Sequence, residues 1–290
     1  MSLEPLRSRC LPAAGLGGWP RCVLGTIALT VSAVVCASGD LPLFDGHIHY
    51  NTDVWDVIPA DNALGRMEAV GIRHAFVSST PTEGTERLYA LDPIRVVPLL
   101  RPYRTPADRR DWYTDTTLVA RLERQLDVIP YRGIGEFHIF GADASTAVMA
   151  DMLRLAKQHG LFLQAHADEE AILRIAEQAP ESVVIWAHAG FDVPVARLED
   201  MLSRFPNLML ELSFRSDIAP DGTLAEAWRD LFIRYPERFM VGMDTYIASR
   251  WAELGELTAA SRIWLQQLPA DVARRIAFAN AAELAGGDSD

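Results

Sequence analysis

Residues 45–50 read Asp45-Gly46-His47-Ile48-His49-Tyr50 and close an apolar stretch that begins near Pro42. In a β-strand alternate side chains share a face, so His47 and His49 point the same way and two imidazoles can meet one ion. An isolated His-x-His is equally well a polar sheet edge, and its meaning depends on what else the chain brings to that place. Working outward, short apolar runs recur at 42–49, 73–79, 96–101, 133–140, 161–166, 182–188, 207–214 and 239–244, giving eight candidate strands. Between them lie stretches such as 146–159, 169–178 and 195–204, where apolar residues recur three and four positions apart, the period of an amphipathic helix. Strands alternating with helices imply a parallel sheet covered by helices. Eight such units in a single domain over 38–290 predict an α/β fold of the (β/α)8 TIM-barrel kind rather than an open doubly wound sheet.

In such a barrel the chemistry gathers at the C-terminal ends of the strands. Of the 7 histidines, His47, His49, His166 and His188 close predicted strands. Strand four ends Gly133-Ile134-Gly135-Glu136-Phe137-His138, which puts a carboxylate inside an otherwise apolar run. A buried carboxylate is costly unless it meets a cation or hydrogen-bond donors. Strand eight ends Gly242-Met243-Asp244-Thr245-Tyr246 and offers another. Each of these residues alone reads as a hydrogen-bonded core position. Together, His47, His49, Glu136, His166, His188 and Asp244 predict a metal site at the barrel mouth, with Asp244 as the group that moves a proton between water and leaving group. Imidazole and oxygen donors without thiolate suit a divalent cation, Zn2+ by default with Mn2+ or Fe2+ as alternatives, in one or two copies.

These residues resemble the amidohydrolase superfamily, in particular its amidohydrolase-2 and TatD-like branches, over about residues 43–285. The likeness extends to the last helix, Arg275-Ile276-Ala277-Phe278-Ala279-Asn280-Ala281-Ala282-Glu283-Leu284, which looks like the family's closing Ile-x-x-x-Asn-Ala signature. The resemblance implies a metal-dependent hydrolase that uses activated water on a lactone, ester or amide bond. Many two-metal members bridge their ions with a carboxylated lysine, but the only lysine here is Lys157, inside a predicted helix. Glu136 stands where TatD-like members carry a glutamate, and by that carry-over it joins a cation on His47, His49 and Asp244 to a second on His166 and His188. Two alternatives follow from the same likeness. One is a single-metal decarboxylase similar to aminocarboxymuconate semialdehyde decarboxylase, in which His188 is catalytic rather than a ligand. The other is a TatD-like phosphoesterase.

Around this set, His138 shares the strand-four face with Glu136 and is a candidate substrate contact. Arg101, Arg104 and Arg215 follow strands three and seven and could fork onto a substrate carboxylate or phosphate. Glu211 and Ser213 on strand seven face inward in the same register, Tyr50 and Tyr246 flank ligand positions, and Asp168 follows His166 closely enough to orient a neighbour. His74 and His159 read as structural, and the segment 104–127, with Pro106 in its early part, reads as a solvated connection.

The composition bounds the partners. A formal charge of −12 offers no basic face for nucleic acid or an anionic membrane, so a small-molecule substrate is expected. At the N-terminus Arg7, Arg9 and Arg21 precede an apolar run from Val23 to Cys36, and Val35 and Ala37 suit the positions before a cleavage site, the layout of a secretory signal peptide over residues 1–37. About 14 apolar residues fall short of the ~20 needed to span a bilayer. Lipid attachment at Cys36 is a lesser option, because Val35 stands where a small residue belongs. Cys10, Cys22 and Cys36 all lie in this segment, so the mature chain would hold neither a disulfide nor a thiolate metal site. The expected product is exported, periplasmic or secreted, with no stable membrane insertion. N-terminal sequencing of protein recovered from an exporting host should begin at Ser38; a chain that keeps its first 37 residues would contradict this reading.

Overall fold

The computed structural model describes residues 41–287, and the export segment read from residues 1–37 lies outside them. The strands are β1 (Leu43–Ile48), β2 (Ile72–Val77), β3 (Val96–Leu100), β4 (Gly133–Ile139), β5 (Phe162–Ala167), β6 (Val184–Trp186), β7 (Leu208–Glu211) and β8 (Phe239–Met240). They pair in sequence order, each parallel to the next. Between β8 and β1 two backbone hydrogen bonds draw the ends together, from Gly46 N–H to the Val241 carbonyl at 2.8 Å and from Asp244 N–H to the His47 carbonyl at 2.7 Å. The result is the nearly closed (β/α)8 barrel that the alternating pattern predicts.

The helices end where local chemistry ends them. The helix Ala147–Gln158 starts at Thr146, whose hydroxyl accepts the Met149 N–H, and stops at His159. The helix Glu169–Gln178 starts at Asp168, whose carboxylate accepts the Ala171 N–H and also the Gly141 N–H. Asp168 is therefore committed to a helix start rather than to orienting a ligand. No helix among the described residues is long and apolar enough to cross a membrane.

Three strands are shorter than their apolar runs suggest. The chain leaves the sheet after Trp186, Glu211 and Met240, and His188, Phe214 and Asp244 take φ values of 59°, 62° and 46°. Left-handed backbone cannot continue a strand and costs an ordinary residue on the order of 1–3 kcal/mol. All three residues lie at the mouth, where the turn re-aims their side chains.

Beneath the mouth the barrel is filled by a layer drawn from most of its strands: Phe44, Phe76, Leu99, Phe162, Ile185, Met209 and Met240, closed from below by Ala281 and Ala282. β4 contributes no side chain to it. A Cβ on Gly133 would lie 2.6 Å from the Phe162 ring, so that ring fills the room the glycine leaves. Phe162→Ala should cost about 3–5 kcal/mol of unfolding free energy, as for other buried aromatic truncations. Denaturant unfolding measures it, and a loss below 1 kcal/mol would show that this layer is not what holds the barrel closed.

Candidate metal centre

β1 carries two jobs within six residues. Phe44 packs in the interior layer, and His47, three positions later, also turns inward, an odd spacing that the irregular register against β2 between Asp45 and Ile48 allows. Asp45 holds this bend. Its Oδ1 accepts the N–H of His47 and of Met243, each at 3.0 Å, and so ties β1 to the segment after β8. Burial pushes the Asp45 carboxyl up to about 8, although both N–H groups work the other way.

Three imidazoles are oriented from behind. A carboxylate can only accept, so the 2.9 Å contact from His47 Nδ1 to Glu211 Oε2 places the hydrogen on Nδ1. His49 Nδ1 likewise donates to the Ser78 carbonyl at 2.6 Å. His188 Nδ1 lies 2.8 Å from Ser213 Oγ, whose own hydroxyl donates to Glu211 Oε2 at 2.9 Å. In each ring Nε2 is then the unprotonated nitrogen, and it faces the barrel axis. Glu211 can sit under His47 because residue 242 is glycine: a Cβ there would lie 2.0 Å from Glu211 Oε1 and 2.9 Å from His47 Cβ. Burial opposes charge on Glu211, but His47 beside it prevails and holds the carboxyl down at about 2.

The inward atoms crowd one another. His47 Nε2 and His49 Nε2 are 3.0 Å apart. Asp244 Oδ1 is 3.3 Å from His49 Nε2 and 3.8 Å from His47 Nε2, and this buried oxygen has no hydrogen-bond partner. Glu136 Oε2 is 3.2 Å from His49 Nε2, and Glu136 Oε1 is 3.6 Å from His47 Nε2, 3.0 Å from His166 Nδ1 and 3.5 Å from His188 Nε2. Donors bound tetrahedrally at zinc-like lengths stand about 3.4 Å from each other. The set centred on His47, His49, Asp244 and Glu136 matches that spacing, and two lone pairs facing across 3.0 Å beside an orphan carboxylate oxygen call for positive charge between them. Burial acts against a proton on His47, but Asp244, Glu136 and Glu211 around it outweigh that and hold its pKa well above the ordinary value, a sign that the pocket favours positive charge at this point. The residues therefore fit a divalent cation. Three overlapping groups can serve it: His47, His188 and Asp244; His47, His49 and Glu136; and Glu136, His138 and His166.

All six residues expected from the strand ends thus meet at one place, and the remaining candidates divide. His138 lines the mouth with its ring stacked on His166 at 4.1 Å and its Nδ1 3.1 Å from the Tyr103 hydroxyl. Burial pushes its pKa down to about 2, against the pull of Glu136. Arg101 also lines the mouth, with its guanidinium held against Glu136. Its Nη2 donates to Glu136 Oε2 at 2.8 Å and its Nε to the Glu136 carbonyl at 2.9 Å. Arg215, also expected to contact substrate, is not among the residues lining the mouth. It grips both Asp217 oxygens and the carbonyls of Ala189 and Val193, so it braces the turn that carries His188 instead of facing the mouth. Arg104 pairs with Asp108 at the surface.

Sequence reasoning passed over Asp45, although it is quoted in the opening motif, and gave Glu211 no role beyond facing inward. The signal for both was a carboxylate in an apolar strand, the argument that singled out Glu136. The segment expected to be a plain connection forms short helical turns at Pro106–Arg110 and Trp112–Thr114, and Pro106 and Arg109 border the mouth. The cavity there is about 640 Å3, with Phe191, Phe214 and Tyr246 among its lining residues on the side of β6 to β8, and Thr80, Tyr103 and Arg109 on the other.

A family model described as Amidohydrolase matches residues 45–286. Among solved structures, a protein from Pseudomonas putida described as a candidate 2-pyrone-4,6-dicarboxylic acid hydrolase is 16% identical with a TM-score of 0.60, covering 85% of this chain and 98% of that one. Another so described, from Acinetobacter baumannii with citric acid bound, is 14% identical with a TM-score of 0.58, covering 84% and 99%. An amidohydrolase from Burkholderia multivorans with bound HEPES is 15% identical with a TM-score of 0.54, covering 84% and 99%. At such identities the likeness establishes the fold. No curated protein matches the chain. Since Glu211 orients His47 directly and His188 through Ser213, Glu211→Gln should keep the fold by circular dichroism and weaken Zn2+ binding about 10–100-fold in a calorimetric titration; unchanged affinity would contradict the orienting role.

Proposed function

This chain belongs to the amidohydrolase family, and from that premise we propose that it is a metal-dependent hydrolase cleaving a lactone, ester or amide bond in a small molecule. The observation that carries the reading is the unpartnered Asp244 Oδ1 beside the converging Nε2 atoms of His47 and His49. These three residues, with Glu136, would hold a divalent cation, and His166 and His188 stand beside them. When bound, such an ion, Zn2+ by its donor set with Mn2+ or Fe2+ as alternatives, makes water more acidic and polarises the acyl oxygen of the substrate.

The chain's own residues do the rest. Asp244 accepts a proton at its carboxylate as water attacks the acyl carbon, and returns that proton to the oxygen or nitrogen that departs. The bond formed is carbon to water oxygen, and the bond broken is carbon to leaving group. His188, whose Nε2 lies 3.9 Å from Asp244 Oδ2, orients the attacking water. Phe191 and Phe214, both partly exposed over the His188 ring, keep bulk water from that side. A 2-pyrone is a cyclic ester, so the names carried by two of the structural neighbours agree with an ester or lactone substrate. We also place the enzyme outside the cytoplasm, on the signal-like residues 1–37.

A panel of lactones, esters, amides and phosphoesters offered to the metal-replete protein tests the reading. Turnover should fall on one of the first three classes and stop with a chelator. Asp244→Asn, loaded to the same metal content, should lose about 10^2–10^4 in kcat. Wild-type turnover by that variant would remove Asp244 from the proton path, and release of CO2 without bond hydrolysis would favour the decarboxylase alternative.

A further inference from the structure

Glu136 is the carboxylate that a two-cation centre would have to share, and it is already engaged on both oxygens. Oε1 is 3.0 Å from His166 Nδ1, and Oε2 is 2.8 Å from Arg101 Nη2. Arg101 is not a mobile surface arginine. Its side chain is 7% exposed, its Nε is bound to the Glu136 carbonyl at 2.9 Å, its Nη1 to Thr80 Oγ1 at 3.2 Å, and its guanidinium lies 5.0 Å from the centre of the Tyr103 ring. Held on the backbone and the side chain of the same residue, it cannot swing away when an ion arrives. A bridging Glu136 would then face two divalent cations and a guanidinium at once.

The charge balance points the same way. The carboxylates turned toward this cluster are Glu136, Asp244 and, behind His47, Glu211. Against one guanidinium they leave two negative charges, which one divalent cation neutralises. A second, on the half-buried cluster of Glu136, His138 and His166, would leave two positive charges beside a centre where His47, His49, Glu136 and His188 are all buried, and uncompensated charge in such a place is unfavourable. We propose that Arg101 limits this centre to one divalent cation, held by His47, His49 and Asp244 with Glu136, and keeps the neighbouring cluster of Glu136, His138 and His166 free of a second. Arg101 is a positioning residue: it acts through Glu136. The proposal rests on the metal-centre reading above and goes beyond it by fixing the number of ions and naming what fixes it.

Metal-stripped protein titrated with Zn2+ alone, followed by dialysis and elemental analysis, tests it. Wild type should retain one equivalent, with any second site at least 100-fold weaker. Arg101→Met, which removes the charge and keeps much of the bulk, should bind a second equivalent at least 10-fold more tightly than wild type does. Arg101→Lys should stay at one. Two equivalents of similar affinity in wild type would overturn the proposal and leave the metal-centre reading standing, as would a single equivalent in folded Arg101→Met. No retained Zn2+ in wild type would overturn the metal-centre reading itself. If Arg101→Met does not fold by circular dichroism, the counts for wild type and Arg101→Lys decide, since two ions on either contradicts the role given to Arg101.

Discussion

The site depends on one constraint, that three buried imidazoles each have Nδ1–H committed to an acceptor behind them. Glu211 takes His47 directly and His188 through Ser213, and the Ser78 carbonyl takes His49. Without those acceptors each ring could flip or change tautomer, and its donor nitrogen would no longer face the axis. With them, lone pairs that repel one another are held together by the fold, and the remaining attraction is for a positive charge. The rest of the barrel can be understood as what keeps this arrangement from relaxing.

That arrangement is costly, and the structure shows where the cost is carried. His188 and Asp244 occupy left-handed backbone, Glu136, Glu211 and Asp45 are buried carboxyls, and Asp244 Oδ1 has no partner. Set against them is the close-packed layer of Phe44, Phe76, Phe162 and their neighbours just below, together with the larger apolar cluster between strands and helices. Backbone links across the seam, from Asp244 to His47 and from Gly46 to Val241, bind β1 to the chain after β8 beside the left-handed Asp244. Stability and chemistry are thus separated by depth: packing lies at the floor and strained polar groups lie at the mouth.

Much of this was legible in the residues. Strand count and order followed from apolar runs, because a parallel strand buried on both faces leaves a continuous signature. The six metal-site candidates followed from polar residues interrupting those runs at the end where barrels place their chemistry. The shortened strands were not legible, because Val184 to Ala187 and Phe239 to Met243 read as one run whether the backbone is extended or leaves the sheet. Nor could a sequence divide the arginines. Arg101 and Arg215 both follow strands, and only the fold shows the first locked on Glu136 and the second on Asp217 and two carbonyls. Asp45 and Glu211 carried the same signal as Glu136, but hydrogen-bond partners far away in sequence decide which carboxylates face an ion and which brace its ligands.

The site is a metal centre only if the Nε2 atoms of His47 and His49 and the carboxylate of Asp244 point at one cation. Anomalous diffraction from crystals of the Zn2+-loaded protein measures this directly. A peak should lie within about 2.0–2.2 Å of those three side chains, with both imidazoles bound through Nε2. A peak elsewhere in the barrel, or ligation of His47 or His49 through Nδ1, would contradict it.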